Sequence, residues 1–291
     1  MNRGDRSNPG EHGRARHAPH SAAAQRAGEI EIIRLGEDEA VLFKPAGLSS
    51  ERTGGRELDS LLSRATARLA WPEARLPHRL DRPTRGVMVV ARDAAAAARH
   101  GRELTSHRWT KWYFARIPAV GSAAIARASE LVGPHRAYLR RDGERARVVR
   151  SGGDPSRLSV CAVAPATDDA RDCHALIRLD TGRFHQIRAM FAELGFPLVG
   201  DELYGGRVDR HGAPARDSRI EHGITHGITH GITHGIDLES VALRIERASG
   251  VLVDRLRSHP SRLGVAVQLE HALDEAIRTT VSDAKPDAPQ A

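Results

Sequence analysis

Pro77-His78-Arg79-Leu80-Asp81-Arg82-Pro83-Thr84-Arg85-Gly86 runs directly into Val87-Met88-Val89-Val90-Ala91. The second half is a continuous apolar run of strand length, the pattern of a strand covered on both faces. The first half is a turn-rich loop in which arginines flank an aspartate. The junction therefore sets a carboxylate in an electropositive mouth at the edge of a sheet. Asp93 follows as a helix N-cap for an alanine-rich stretch that runs to about Thr105.

Outward from this junction the elements alternate irregularly. Upstream, Ile30, Ile32 and Leu35 begin an extended pattern, Ala40 to Lys44 forms a second short strand, and Pro45-Ala46-Gly47 turns the chain. Leu58, Leu61, Leu62, Ala65 and Leu69 recur at helical spacing, in a helix that must stop before Pro72. Downstream, Lys111 to Ile117, Ser159 to Ala164 and His174 to Leu179 read as strands. Several of these lie too close together for helical crossovers. The expected fold is therefore α+β, a mixed, largely antiparallel central sheet with flanking helices. Residues 29–255 make the main domain, and residues 256–291 add an amphipathic helix from Ser261 to about Thr280 and a polar tail. Residues 1–28 contain no Val, Leu, Ile or Phe and are expected to be a disordered basic arm.

The formal charge is +7, carried mainly by arginine rather than lysine. Arginine offers a planar donor fork suited to phosphate, so RNA or DNA outranks a membrane surface as partner, although GC-rich coding also enriches arginine. No stretch approaches the roughly 20 apolar residues that span a bilayer, and the N-terminus lacks the apolar core of a signal peptide. A soluble, cytoplasmic protein is expected, with Cys161 and Cys173 as reduced thiols. Arg136, Arg140, Arg141, Arg145, Arg147 and Arg150 surround Asp142-Gly143 in a hairpin pattern, which suits either phosphate contact or a solvated ribbon. His222, His226, His230 and His234 repeat with Gly-Ile-Thr between them, in a predicted loop spanning 210–236. A metal tract is one reading. Glycine and two β-branched residues in every repeat resist the helix that would align the imidazoles, so an expanded loop is favoured and no metal is expected.

A second cluster, Asp180-Thr181-Gly182-Arg183-Phe184-His185-Gln186-Ile187-Arg188, ends a strand, turns at a glycine and opens a helix expected to carry His185 and Arg188 on one face. Gly195 and Pro197 close that helix. On spacing alone, a carboxylate opposed by arginines suits phosphate docking with carboxylate chemistry at a sugar or base. It suits buried ion pairs equally well.

The two segments resemble the signature motifs of RluA-type RNA pseudouridine synthases. His78-Arg79-Leu80-Asp81 with Thr84-Arg85-Gly86 and the apolar strand is similar to the first motif. Thr181 to Arg188, Gly195 to Pro197 and Gly200 to Gly205 are similar to the second. Phe43 to Gly47 and Lys111 to Ala115 resemble the family's opening turn and tyrosine-bearing strand, and Leu238 to Gly250 its closing strand, so the likeness covers about 29 to 255. Pro83, Arg85, Met190 and Glu239-Ser240 depart from the family's usual residues.

The resemblance implies a cofactor-free isomerisation of uridine to pseudouridine in structured RNA, ribosomal or transfer, by a monomer. Asp81 would start the reaction by attack on sugar or base or by proton removal, and Tyr113 would stack on the uracil and handle a proton. Arg188 would pair with Asp81, lowering its pKa. Arg79, His78, Arg183, His185, Arg140, Arg141 and Arg145 would serve RNA binding, with His78 and His185 supporting the loops. The rival reading is a catalytically inactive RNA-binding protein or RNA-folding chaperone on the same fold.

Overall fold

The computed structural model describes residues 30–51, 59–207, 236–256 and 264–280. The basic arm, Leu58 and the His-Gly-Ile-Thr repeat lie outside these residues.

The strands are β1 (Glu31–Leu35), β2 (Glu39–Lys44), β3 (Arg85–Ala91), β4 (Trp109–Pro118), β5 (Gly133–Asp142), β6 (Arg145–Val149), β7 (Asp154–Pro165), β8 (Asp172–Leu179), β9 (Leu238–Arg247) and β10 (Gly250–Arg255). They form one sheet in the order β1-β2-β3-β9-β4-β8-β7-β5-β6, with β10 paired to β9. Short links between β1 and β2, β5 and β6, and β9 and β10 leave antiparallel pairing as the geometry the chain can reach. The exception is β3 with β9, which run parallel through Arg85–Glu239 and Gly86–Ser240. The sheet is thus mixed and largely antiparallel, as the sequence led us to expect.

Gly86 is required at that junction. Its φ is +121°, and a Cβ would fall 2.2 Å from the Ser240 carbonyl oxygen. The parallel contact carries β9 against the strand that follows the Asp81 loop, and Ser240 then pairs with Tyr113 on β4. Two departures from the family pattern meet here: Arg85 Nε lies 3.3 Å from Glu239 Oε2, and Arg85 Nη2 lies 2.8 Å from Asp237 Oδ1.

Five α-helices and a short 3-10 turn (Glu202–Tyr204) complete the described fold: α1 (Leu61–Leu69), α2 (Ala94–Thr105), α3 (Ser122–Ser129), α4 (Gln186–Glu193) and α5 (Val267–Thr279). Ser60 caps α1 through a capping box with Ser63, and the Asp93 carboxylate accepts from Ala96 N at 2.9 Å at the start of α2. Each such cap is worth about 1 kcal/mol. One face of the sheet buries Tyr113, Ala115, Ile117, Leu158, Val160 and Ile177 against Leu61 of α1, Ala128 of α3 and Ile187, Met190 and Phe191 of α4. The reverse face packs Trp112, Phe114 and Leu176 under Leu269 and Leu273 of α5. A third cluster joins Val41, Phe43, Val87 and Val89 to Ile245 and Trp109, with Leu104 of α2 against it. Among the described residues no helix is long and apolar enough to cross a membrane.

Candidate active site

The Asp81 loop is held from below by a lysine. Lys44, at the end of β2, is fully buried, and its Nζ donates to the carbonyls of Pro45 (3.0 Å), Leu48 (2.7 Å) and Arg82 (3.1 Å). The backbone closes the same contact: Gly47 N donates to Arg82 O at 2.8 Å, and Thr84 N donates to Asp81 O at 3.0 Å. Burial draws the Lys44 ammonium down to about 7, against the pull of Asp81 in the other direction. On the other side of the loop, Leu80 is buried and its N–H and C=O both meet the Ser50 hydroxyl. Asp81 is therefore fixed between two anchored neighbours.

The turn after β8 supplies the opposing cation. Gln186, the first residue of α4, accepts from Arg183 N (3.0 Å) and Thr181 Oγ1 (2.8 Å) and donates to Arg157 O (2.9 Å), pinning the turn. The sequence led us to expect His185 inside the helix. Instead His185 precedes it as the N-cap residue, in the left-handed region at φ 51°. The tight turn forces that conformation, yet it still brings His185 Nε2 to 2.9 Å from Arg188 Nη1.

Arg188 is 4% exposed and has two carboxylate neighbours. Its Nε and Nη2 each reach Asp201 at 2.7 Å, and its Nη1 lies 3.5 Å from Asp81 Oδ2. Arginine can only donate, so Nε2 of His185 accepts and Nδ1 carries the proton, donating to Tyr204 Oη at 3.1 Å. Burial, Arg188 and Arg141 hold that imidazole down to about 3, so it is neutral. Tyr204 Oη also accepts from Ala146 N at 2.6 Å, tying the site to the β5–β6 hairpin.

The Asp81 carboxylate corrects an expectation. Arg188 was expected to lower its pKa, but burial outweighs Arg188 and Lys44 and, with Asp201 adding repulsion, pushes it up. Arg188 gives its short bonds elsewhere, which weakens its hold on Asp81. Tyr113 is 5% exposed, and burial together with the Asp81 charge raises its phenol well above the ordinary value, with Ser240 pulling the other way. Tyr113 is a neutral phenol within electrostatic reach of Asp81.

The expected RNA contacts divide. His78 turns into the fold: its Nε2 accepts from Val89 N at 3.0 Å, its ring meets Trp109 edge-on, and burial draws it down to about 3. It supports the loop. Arg79 stands at the rim, 71% exposed and 3.4 Å from Glu51, and Arg183 is exposed with its Nε 3.3 Å from Pro155 O. Arg141 pairs in register with buried Ala146 and places its guanidinium 4.5 Å over the Phe184 ring, which stacks on His185 at 3.8 Å. Strand alternation sends Arg140 and Arg145 to the opposite face, with Arg136, Tyr138 and Arg147, all exposed. Only Arg141 of the three hairpin candidates joins Asp81's side of the sheet.

Lys44, Asp201, Tyr204 and Phe184 belong to the site without having been assigned a role from sequence. Lys44, Asp201 and Tyr204 lie inside segments that match the family pattern, which was their signal. Phe184 occupies a variable position in that pattern and gave none. Among the described residues no group of His, Cys, Asp and Glu is arranged to hold a metal.

A family model described as RNA pseudouridylate synthase matches residues 39–193, more than half of the chain. The chain is 35% identical over 184 residues to a protein of Xylella fastidiosa named ribosomal large subunit pseudouridine synthase D, covering 62% of this chain and 53% of that one. A protein of the same name from Pseudomonas aeruginosa is 31% identical over 183 residues, covering 62% of this chain and 54% of its own length. This chain spans about half the length of either relative. The solved structure of human RNA pseudouridylate synthase domain containing 1 superposes with a TM-score of 0.60 at 22% identity, covering 91% of this chain and 99% of that one. That likeness shows the fold, the family model matches the segment that carries both Asp81 and Arg188, and the chain belongs to the RNA pseudouridylate synthase family.

Proposed function

We propose that this protein isomerises uridine to pseudouridine in ribosomal RNA of the large subunit. The observation that carries the reading is Asp81 itself: a partly exposed carboxylate, 24% of its side chain open, on an anchored loop beside buried Arg188 at 3.5 Å. The names of the sequence relatives point to the large-subunit RNA as substrate.

In the reaction the N1–C1′ bond breaks and the C5–C1′ bond forms. The C5 proton leaves and N1 gains one, so composition is unchanged. Asp81 acts ionised, as the initiating carboxylate. Arg188 orients it while Asp201 fixes Arg188, a division that leaves Asp81 free to move from the guanidinium toward the substrate. Tyr113, as a neutral phenol, lies against the uracil and offers a proton donor rather than a base.

A stacked uridine cannot reach Asp81, so it is flipped out at a cost of a few kcal/mol. Exposed Arg79 and the Arg141–Phe184 pair support this reading as contacts for the displaced strand and flanking nucleotides. We place the protein in the cytoplasm, acting as a monomer; the unbonded Cys161 and Cys173 suit a reducing compartment. The test is release of tritium from large-subunit RNA transcribed with uridine labelled at C5. Release into water from few uridines per transcript supports the reading, and no release under conditions of saturating RNA binding refutes it.

A further inference from the structure

Lys111 is a buried cation that the mechanism above leaves unused. The residue is 9% exposed, and alternation along β4 sets it on the same face as Tyr113, two residues on. Among the described residues, no carboxylate or carbonyl hydrogen-bonds its ammonium. Lys44 is the contrast, fully buried and with three carbonyls around it. The Lys111 ammonium lies against Gly182, where an added Cβ would come 3.1 Å from Nζ. Gly182 is exposed, so a residue with no side chain forms the surface next to the charge.

A largely buried lysine with no carboxylate or carbonyl on its ammonium is costly, and this nitrogen is not one of the fully enclosed unpaired ones among the described residues, so it still meets solvent. Burial alone draws it down to about 8, which leaves it mostly protonated at neutral pH. The groups around it offer no relief. His78 is held neutral, Tyr113 is a phenol, and Asp180 in the adjoining turn bonds Arg178 at 3.0 Å. An anion arriving from solvent past Gly182 would supply the missing partner.

We propose that Lys111, opposite Gly182, is a phosphate-binding site for the RNA backbone beside the target uridine. The proposal rests on the RNA reading above. A phosphate carries full charge at any working pH and offers oxygens to both the ammonium and the exposed guanidinium of Arg183, the next residue in the turn. Uracil carbonyls would accept a hydrogen bond but leave the charge uncompensated. Tyr113 stands about 7 Å along the strand, a spacing comparable with the reach from a nucleotide's base to its phosphate.

The test uses wild type, Lys111→Met and Gly182→Ala, with a large-subunit ribosomal RNA transcript as probe and filter binding across salt and from about pH 7 to about pH 9. Lys111→Met keeps the volume and removes an unpaired charge, so the free protein should melt at the same or higher temperature. It should bind the transcript roughly tenfold more weakly, with the slope of log affinity against log salt shallower by about one. Wild-type affinity should fall as pH rises past about 8, and the Met variant should lack that fall. Gly182→Ala, which covers the ammonium without changing charge, should weaken binding in the same direction.

Unchanged affinity and salt slope in Lys111→Met would overturn the proposal, as would a loss of stability in the free protein, which would mark a structural partner. The readout is binding, so it separates from the catalytic reading. A protein that makes pseudouridine and binds RNA identically without Lys111 refutes this site alone. A protein that makes none, yet loses RNA with Lys111→Met, refutes the catalytic reading and keeps the site.

Discussion

Arg188 is locked to Asp201 by two 2.7 Å bonds and reaches the candidate catalytic carboxylate only at 3.5 Å. Asp201 is 1% exposed, so the pair is a buried fork-to-fork contact that sets where the guanidinium points. Asp201→Asn should let Arg188 swing onto Asp81. The expected result is a kcat lowered roughly tenfold to a hundredfold with KM little changed, and a stability loss of about 3 kcal/mol from the half-paired buried cation. Steady-state kinetics and urea melts check both.

The pH profile follows from the raised Asp81 pKa. The active form is ionised, so activity is lost as pH falls through the folded value, and the acid limb of kcat/KM should sit above the ordinary aspartate range. Arg188→Gln removes the largest effect favouring ionisation and should move the limb higher still. For stability the sign reverses from the usual carboxylate case. A folded pKa above the unfolded one means the folded state holds the proton more tightly, so this group's contribution declines as pH rises through that window. Asp81→Asn should therefore raise Tm at neutral pH while abolishing turnover.

Lys44 explains why the loop keeps its shape. Replacing it by Met would take the ammonium from the carbonyls of Pro45 and Leu48 and leave Arg82 O with Gly47 N alone. A buried acceptor left unpaired costs about 1 to 3 kcal/mol, and removing a buried charge returns part of it, so a net loss of about 2 kcal/mol is expected. Thermal melts give the size, and a larger fall in kcat than in affinity would show that Asp81 has moved.

Phe184, held by Arg141 over its ring and by stacking with His185 yet 38% exposed, should set preference for the nucleotide flanking the target. Phe184→Ala should raise KM roughly fivefold to tenfold through lost aromatic contact, and Phe184→Tyr should restore it. Comparing transcripts with different flanking bases measures the preference directly.

The sheet and the placement of Asp81 were legible because continuous apolar runs such as Val87 to Ala91 and glycine turns such as Asp142-Gly143 act locally. What escaped the sequence depends on contacts between distant segments. His185 left the helix because of a backbone turn that Gln186 pins from inside, not because of any spacing. Arg85 and Glu239 each look like an isolated departure until the parallel β3–β9 contact pairs them. The hairpin arginines read as one patch in sequence, but strand alternation sends Arg141 to one face and Arg140 to the other. The direction of the Asp81 shift needed burial as well as charge, and burial cannot be read from a motif.

The most direct test is to count pseudouridine by mass spectrometry in large-subunit ribosomal RNA transcript incubated with wild type and with Asp81→Asn. The account predicts new pseudouridine with wild type, confined to few positions, and none with the variant although it still binds RNA. Pseudouridine formed equally by the variant, or by neither protein while RNA is bound, would contradict it.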